Sequence, residues 1–244
     1  MEVVLKADER VDVLKKSGYK IIQNPKGFCF GVDAVLLAGF SKVRRGETIC
    51  DLGTGNGALP LLMAHRSQVQ FFGVEIQKDA ADMAMRSVLM NDLSEKIQIV
   101  QGDLKDAFSF FEKNAFAVVL SNPPYMTIDC GKQNLCDLKN IARHEIFCTL
   151  DDIVRIASGL LNSHGRFYMI HRPERLQEIL CAFEKYNLSA KRMRFVFPFI
   201  DKSPTMILIE GVKSAKKGVV VEKPLVMYQP NGEYTEEMSE FFAF

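Results

Sequence analysis

The sequence predicts an α/β fold built around a mostly parallel sheet, and three observations carry that prediction. From about residue 48 onward, short apolar runs alternate with stretches of helical periodicity. A glycine-rich turn, Asp51-Leu52-Gly53-Thr54-Gly55-Asn56-Gly57, stands between the first of these runs and the first helix that follows it. The last two strand-like runs, Lys191–Phe197 and Thr205–Val212, are separated by only seven residues that include Pro198 and Pro204. So short a connection marks an antiparallel pair.

The elements follow in order. Residues 1–47 read as an extension rather than an independent domain. In it, Tyr19–Gln23 and Phe28–Phe30 are expected to pair as a hairpin across Asn24-Pro25-Lys26-Gly27, and Asp33 to cap a helix over Ala34–Phe40. The main unit spans 48–212. Thr48–Leu52 is a buried first strand, Ala58–His65 a helix and Gln70–Val74 a second strand. Lys78–Met90 is a helix with Ala81, Ala84, Met85, Val88 and Leu89 on one face. Ile97–Val100 and Ala115–Ser121 are the third and fourth strands, with Gly102-Asp103-Leu104 opening the loop between them.

Residues 126–147 have no clear periodicity. They read either as a mobile segment beside the site or as an irregular surface loop. Leu150–Leu161 is helical, with Asp151 or Asp152 favourable at its N-terminus. Arg166–Ile170 is a strand and Glu174–Tyr186 a helix. The tail, 213–244, carries brief strand-like pieces at Gly218–Val221 and Leu225–Tyr228 before an acidic end.

Composition excludes several classes of function. The chain of 244 residues is 48% hydrophobic and 25% charged, as an ordinary globular protein is. Its longest apolar runs, about six residues, are too short to cross a bilayer. Glu2, Lys6, Asp8, Glu9 and Arg10 interrupt any signal-like start. The six cysteines show no C-x-x-C spacing, and reduced thiols in a cytoplasmic protein are the expectation. Cys130, Cys136, His144 and Cys148 match no common zinc spacing, so no metal is expected. The net charge of +1 offers no overall field for nucleic acid, and any RNA contact must be a local patch. Candidates are Lys191, Arg192 and Arg194, Arg143-His144, His171-Arg172, Arg175, Lys213 and Lys216-Lys217; a solvated face is the alternative for each.

The glycine-rich turn carries the clearest ligand chemistry. Gly53, Gly55 and Gly57 let the backbone bend sharply and approach a ligand closely. Glu75 ends the second strand, twenty residues past Gly55, where an acid takes both hydroxyls of a ribose. The spacing is G-x-G-x-G and not that of dinucleotide sites. Asp51 puts a negative charge just before the loop, which suits the ammonium of a methionine moiety better than a diphosphate. Asp103 is placed to accept from an adenine amine, with Ile76 and Leu104 on either side of the ring. Solvated strand-end acids or helix caps are the alternatives for Glu75 and Asp103.

Asn122-Pro123-Pro124-Tyr125 closes the fourth strand. Read alone it is a strand-ending turn. It also supplies what methylation of a planar nitrogen requires. An exocyclic amine has its lone pair delocalised into the ring. Acceptors around its N–H groups favour a pyramidal nitrogen with a localised pair. The Asn122 side-chain oxygen and the Pro123 carbonyl are such acceptors, and two prolines leave the turn little freedom to relax. Tyr125 presents a ring on which a base stacks, a contact worth roughly 1–3 kcal/mol.

Asp51–Gly57, Glu75, Asp103 and Asn122–Tyr125 together resemble the ordered motifs of class I S-adenosylmethionine-dependent methyltransferases that modify amino nitrogens. The likeness is closer to the bacterial family that methylates N6 of the tRNA adenine 3′ of a valine anticodon, at position 37. Phe28–Ala38, Ala142–Glu145, Gly165–Arg175 and Asn231–Thr235 extend it over nearly the whole chain. The resemblance implies a Rossmann-like sheet of seven strands in the order 3-2-1-4-5-7-6, only the seventh antiparallel, with helices on both faces. It implies that the extension packs over the cofactor, and that Asp51, Gly53, Gly55, Gly57, Glu75, Ile76, Asp103, Leu104 and Asn122 bind S-adenosyl-L-methionine. Asn122, Pro123 and Tyr125 then hold a base of tRNA or another structured RNA, without metal or membrane. Oligomeric state is left open, a monomer slightly favoured.

Rival readings remain at this level. One is methylation of a glutamine side chain in a protein such as a release factor, although only 50 residues precede Asp51, too few for the helical domain of those enzymes. An rRNA base amine is another acceptor. A DNA adenine methyltransferase lacks room here for a target-recognition domain. A non-catalytic nucleotide-binding module has no use for an intact Asn122–Tyr125 turn, and a dehydrogenase would retain NAD.

Overall fold

The computed structural model describes residues 3–15, 17–64, 68–125 and 148–242. The segment 126–147, with Cys130, Cys136 and the Arg143-His144 pair, lies outside the described residues. The chain begins with β1 (Arg10–Val13), β2 (Lys20–Gln23) and α1 (Val32–Phe40). The alternating region then runs β3 (Thr48–Leu52), α2 (Ala58–Met63), β4 (Gln70–Glu75), α3 (Lys78–Met90), β5 (Ile97–Gln101), α4 (Ala107–Phe110) and β6 (Phe116–Ser121). After it come α5 (Leu150–Leu160), β7 (Leu161–His171), α6 (Leu176–Lys185), β8 (Leu188–Phe197) and β9 (Met206–Lys213). The tail adds β10 (Val220–Val221), β11 (Leu225–Val226) and α7 (Glu236–Phe242).

The central sheet has the order β5-β4-β3-β6-β7-β9-β8-β10, and β11 also pairs with β8. Strands β3 to β7 are mutually parallel, whereas β9 is antiparallel to both β7 and β8. With β3 as strand 1, this is the expected 3-2-1-4-5-7-6 order. Among the described residues the sheet has nine strands rather than seven, because the tail returns along the outer edge of β8. There Glu222 N donates to Met193 O at 2.8 Å and Met227 N to Phe197 O at 2.8 Å. Backbone groups that an edge strand would leave open are thereby satisfied.

Period-two alternation places apolar side chains on both faces. In β6, Val118 and Leu120 point to the layer of α1 and α2, and Val119 to the layer of α5 and α6. In β7, Tyr168 and Ile170 face the first layer, and Phe167 and Met169 the second. Near-continuous apolar runs are the pattern of a sheet buried on both sides. Helix α5 starts with a capping box: Thr149 accepts from Asp152 N at 3.1 Å, and Asp152 accepts from Thr149 N at 3.3 Å.

Two local expectations are corrected. Strand β2 pairs with β1, Arg10 opposite Gln23 and Val13 opposite Lys20; the expected turn closes with Asn24 N donating to Phe28 O at 3.0 Å, but Phe28–Phe30 forms no strand ladder with β2. The Phe28 ring instead packs against Gly55, and the Gln23 side chain accepts from Phe30 N at 3.1 Å, so that segment turns toward the sheet. The buried face of α3 comprises Ala80, Ala81, Met83, Ala84, Ser87 and Val88, while Met85 and Leu89 are exposed. Strand β2 fixes this rotation, since Ser87 Oγ accepts from Ile22 N at 2.9 Å and donates to Met83 O at 2.7 Å.

Candidate active site

The C-terminal ends of β3 and β6 meet where the strand order reverses, the place at which open α/β sheets bind ligands. A cavity of about 290 Å³ opens there. Its walls include Phe28 and Asp33 from the extension, Gly53 and Thr54 from the glycine loop, Glu75 and Ile76 after β4, Asp103 and Leu104 after β5, and Asn122 to Tyr125 after β6. The motifs separated in sequence therefore share one wall-to-wall space.

The glycine loop is shaped by its backbone. Gly53, Gly55 and Gly57 have φ of 79°, 58° and 82°, in the left-handed region that side chains avoid. At Gly55 a Cβ would also lie 2.5 Å from the Phe28 ring. The N–H groups of Gly53 and Thr54 both donate to Val74 O, at 2.9 and 3.0 Å, which ties the loop to β4. Glu75, buried at the end of β4, accepts from Gly55 N at 2.9 Å and from Gln77 N at 2.8 Å. Each carboxylate oxygen keeps a further lone pair for a ligand.

Beneath the loop lies an unusual set of polar groups. Both carboxylate oxygens of Asp51, the Thr54 hydroxyl and Asn56 Oδ1 are buried without a hydrogen-bond partner among the described residues. Burial pushes the Asp51 carboxyl up to about 7; the neighbouring Thr54 hydroxyl offsets part of the rise and the nearby Glu75 charge adds to it. Groups so orphaned are costly unless a ligand completes them. A cationic amine beside the loop would complete them, although Asp51 lies behind the residues that line the cavity. At the other end, Asp103 accepts from Lys105 N at 2.9 Å and caps a short 3₁₀ turn over Leu104–Asp106, so its capping and lining positions coincide. Ile76 and Leu104 flank the same wall.

The turn after β6 is anchored at its root. Ser121 Oγ donates to Leu52 O at 3.0 Å, joining the ends of β6 and β3. Pro123 is buried and Pro124 exposed. The Tyr125 hydroxyl lies 2.5 Å from Asn122 Oδ1 and 2.9 Å from Asp33 Oδ2. Burial, reinforced by the Asp33 charge, raises the Tyr125 pKa well above the ordinary phenol value, so the hydroxyl keeps its proton. The Arg172 guanidinium sits over the Tyr125 ring at 5.0 Å, and His171 meets it edge-on at 5.5 Å. His171 is buried and neutral: desolvation, with the Arg175 charge, pulls its pKa down to about 4.

Asp33 departs from its expected role. The N-cap of α1 is Gly31 and no side chain caps it; Asp33 sits in the first turn, accepting from Ala34 N at 2.9 Å and facing Tyr125. No spacing rule connects positions 92 residues apart, so the sequence held no signal for the contact. Most of the basic candidates are engaged structurally. Arg192 pairs with Glu210 and Glu222, Arg194 with Glu237, Arg175 with Glu178, and Lys217 with Glu184. Lys213 Nζ donates to Ser158 O and Leu161 O at the end of α5. Of the basic candidates among the described residues, Arg172 and His171 meet the Asn122–Tyr125 turn, and Arg172 is the exposed one.

The chain is similar to known proteins in sequence and in fold. The family model described as "Methyltransferase small domain" matches residues 30–197. A tRNA1(Val) (adenine(37)-N6)-methyltransferase of Phocaeicola vulgatus is 30% identical over 217 residues, covering 87% of this chain and 89% of that protein. Among solved structures, an Agrobacterium tumefaciens protein described as a "predicted O-methyltransferase" superposes with a TM-score of 0.71 at 23% identity, covering 86% of this chain and 95% of that one. Geranyl diphosphate C-methyltransferase of Streptomyces coelicolor, solved with S-adenosyl-L-homocysteine, has a TM-score of 0.57 at 16% identity, covering 74% of this chain and 76% of that one. At these identities the two structures speak for the fold. Among the described residues no group of side chains is arranged to hold a metal ion, and no helix is long and apolar enough to cross a membrane.

Proposed function

The chain belongs to the methyltransferase small domain family, and from that premise we infer that it is an S-adenosylmethionine-dependent enzyme methylating N6 of adenine 37 in a tRNA, next to the anticodon. The observation that carries the reading is the position of Asn122-Pro123-Pro124-Tyr125, opening into the same cavity as the glycine loop, Glu75 and Asp103.

In this reading the orphaned Asp51 carboxylate answers the ammonium of the cofactor, Glu75 its ribose hydroxyls and Asp103 its adenine amine, with Ile76 and Leu104 against the adenine ring. Gly53, Gly55 and Gly57 allow the close approach, and Asn122 borders the donor as well as the acceptor. S-adenosylmethionine supplies a methyl group on a positively charged sulfur, open to in-line displacement by a nitrogen lone pair. Asn122 Oδ1 and the Pro123 carbonyl accept from the target amine and localise that pair. Positioning and fixed dipoles supply most of the acceleration.

The target adenine leaves its stack to reach the turn, at small cost for an anticodon-loop base, and the Tyr125 ring packs against it. Residues 1–47 serve as an extension over the cofactor, 48–212 as the transfer domain and 213–244 as a tail. The test is mass spectrometry of nucleosides from an unmodified valine tRNA incubated with protein and S-adenosylmethionine. N6-methyladenosine at position 37 is the expected product; methylation of a release-factor glutamine, with the tRNA untouched, overturns the assignment.

A further inference from the structure

We propose that Asp33 is a positioning residue: it sets the direction of a hydrogen-bond chain through Tyr125 and so turns the amide oxygen of Asn122 toward the target amine. The proposal rests on the reading of Asn122 as an acceptor given above and adds what keeps that acceptor available.

The geometry poses a conflict. The Tyr125 hydroxyl stands 2.5 Å from Asn122 Oδ1 and 2.9 Å from Asp33 Oδ2, yet a phenol carries one proton. Donated to Asn122, that proton occupies the oxygen needed for substrate. Asp33 resolves the competition, because a carboxylate only accepts and is the stronger acceptor of the two. Once the phenol donates to Asp33, its oxygen turns lone pairs toward Asn122. Two oxygens at that separation then repel. A half-turn of the amide about its terminal bond brings Nδ2–H toward the phenol and sends Oδ1 outward. The chain then runs one way: Asn122 donates to Tyr125, and Tyr125 donates to Asp33.

Local structure holds both ends. Asp33 Oδ1 is fixed by Ala34 N at 2.9 Å, which presents Oδ2 to Tyr125. Residue 31 is glycine, and a Cβ there would lie 2.7 Å from Asp33 Oδ1, so no other residue leaves this carboxylate its place. Arg172 over the ring and His171 at its edge keep Tyr125 from swinging away. The raised pKa of Tyr125 keeps the bridging proton present across the physiological range.

Asp33→Asn tests the idea, since it preserves shape but can donate as well as accept and so loses the fixed direction. With the full-length protein and valine tRNA, kcat should fall roughly ten- to a hundred-fold, while cofactor Kd and KM for tRNA move less than about three-fold. Tyr125→Phe keeps the ring and should lose a similar factor. Asp33→Asn added to Tyr125→Phe should then cost less than about two-fold, because the shared hydroxyl is gone. Full kcat in either single variant overturns the proposal, as does an undiminished Asp33→Asn loss in the Tyr125→Phe background. If Asp33→Asn fails to fold, the Tyr125→Phe result decides alone. Should the wild-type protein methylate a different acceptor, the same cycle run on that acceptor separates this proposal from the choice of substrate.

Discussion

The amide of Gly55 donates to Glu75 Oε2 at 2.9 Å, so the acid at the end of β4 holds the tip of the loop that follows β3. Glu75 thus shapes the cavity as well as lining it. Glu75→Ala should weaken S-adenosylmethionine binding by roughly ten- to a hundred-fold, the loss of one or two charged hydrogen bonds at about 1.5–3 kcal/mol. Titration calorimetry checks it, and an unchanged Kd would remove Glu75 from the donor site.

On the proposed reading, Asn122→Ala removes a group that serves the methyl acceptor and leaves the glycine loop untouched. Turnover should drop roughly a hundred- to a thousand-fold, as when one preorganised dipole is lost from an active site. Cofactor Kd should stay within about three-fold. Single-turnover kinetics beside equilibrium binding separates the two, and parallel losses would place Asn122 in the donor site alone.

Asp51 makes the protein sensitive to pH in a defined direction. Its folded-state pKa of about 7 lies above the ordinary carboxylate value. The protonated form is therefore favoured by folding, and stability present in acid is lost as pH rises toward and through 7. A bound ammonium reverses the preference, since it favours the anion. Cofactor affinity should thus rise between pH 6 and pH 8. Asp51→Asn should flatten that rise and stabilise the unliganded protein at pH 8 by roughly 1–3 kcal/mol. Calorimetry and thermal unfolding across the range test both, and an unchanged pH profile in the variant would show that Asp51 does not meet the ligand.

Arg172 is exposed, lies over the Tyr125 ring and donates to Thr205 O at 3.0 Å. On the proposed reading it meets the RNA backbone beside the turn. Arg172→Ala should raise KM for tRNA roughly five- to ten-fold and reduce the salt dependence of binding by about one charge. Fluorescence anisotropy across a salt series reads the slope. An unaltered slope would assign the electrostatic contact elsewhere.

The interior of the sheet was legible because strands buried on both faces leave dense apolar runs, and β3, β4, β6, β7 and β9 carry them. The glycine loop and the Asn122–Tyr125 turn were legible for a related reason: glycines and prolines are demanded by backbone geometry at fixed offsets from strand ends. What escaped was settled by partners far along the chain. The rotation of α3 depends on Ser87 meeting Ile22, and an apolar stripe through Met85 and Leu89 fits the same periodicity equally well. Strand β1 carries Arg10 and Asp12 and is only half covered, so nothing in it marks a strand. Strands β10 and β11 are two residues each and exist through their pairing with β8. Asp33 has the residue type of a helix cap, and only the fold reveals the tyrosine opposite it.

The docking of β2 onto α3 bears on how the molecule assembles. Ile22 N waits for Ser87, Lys20 N for Asn91, and Ile22 O for the Asn56 side chain. On a ribosome the opening segment therefore emerges long before the surfaces that receive it. Loop closures of such span are slow to form, so the cover over the glycine loop is among the last parts to settle and among the first to loosen under denaturant. Hydrogen exchange should accordingly find the amides of Lys20 and Ile22 less protected than those of β3 and β6.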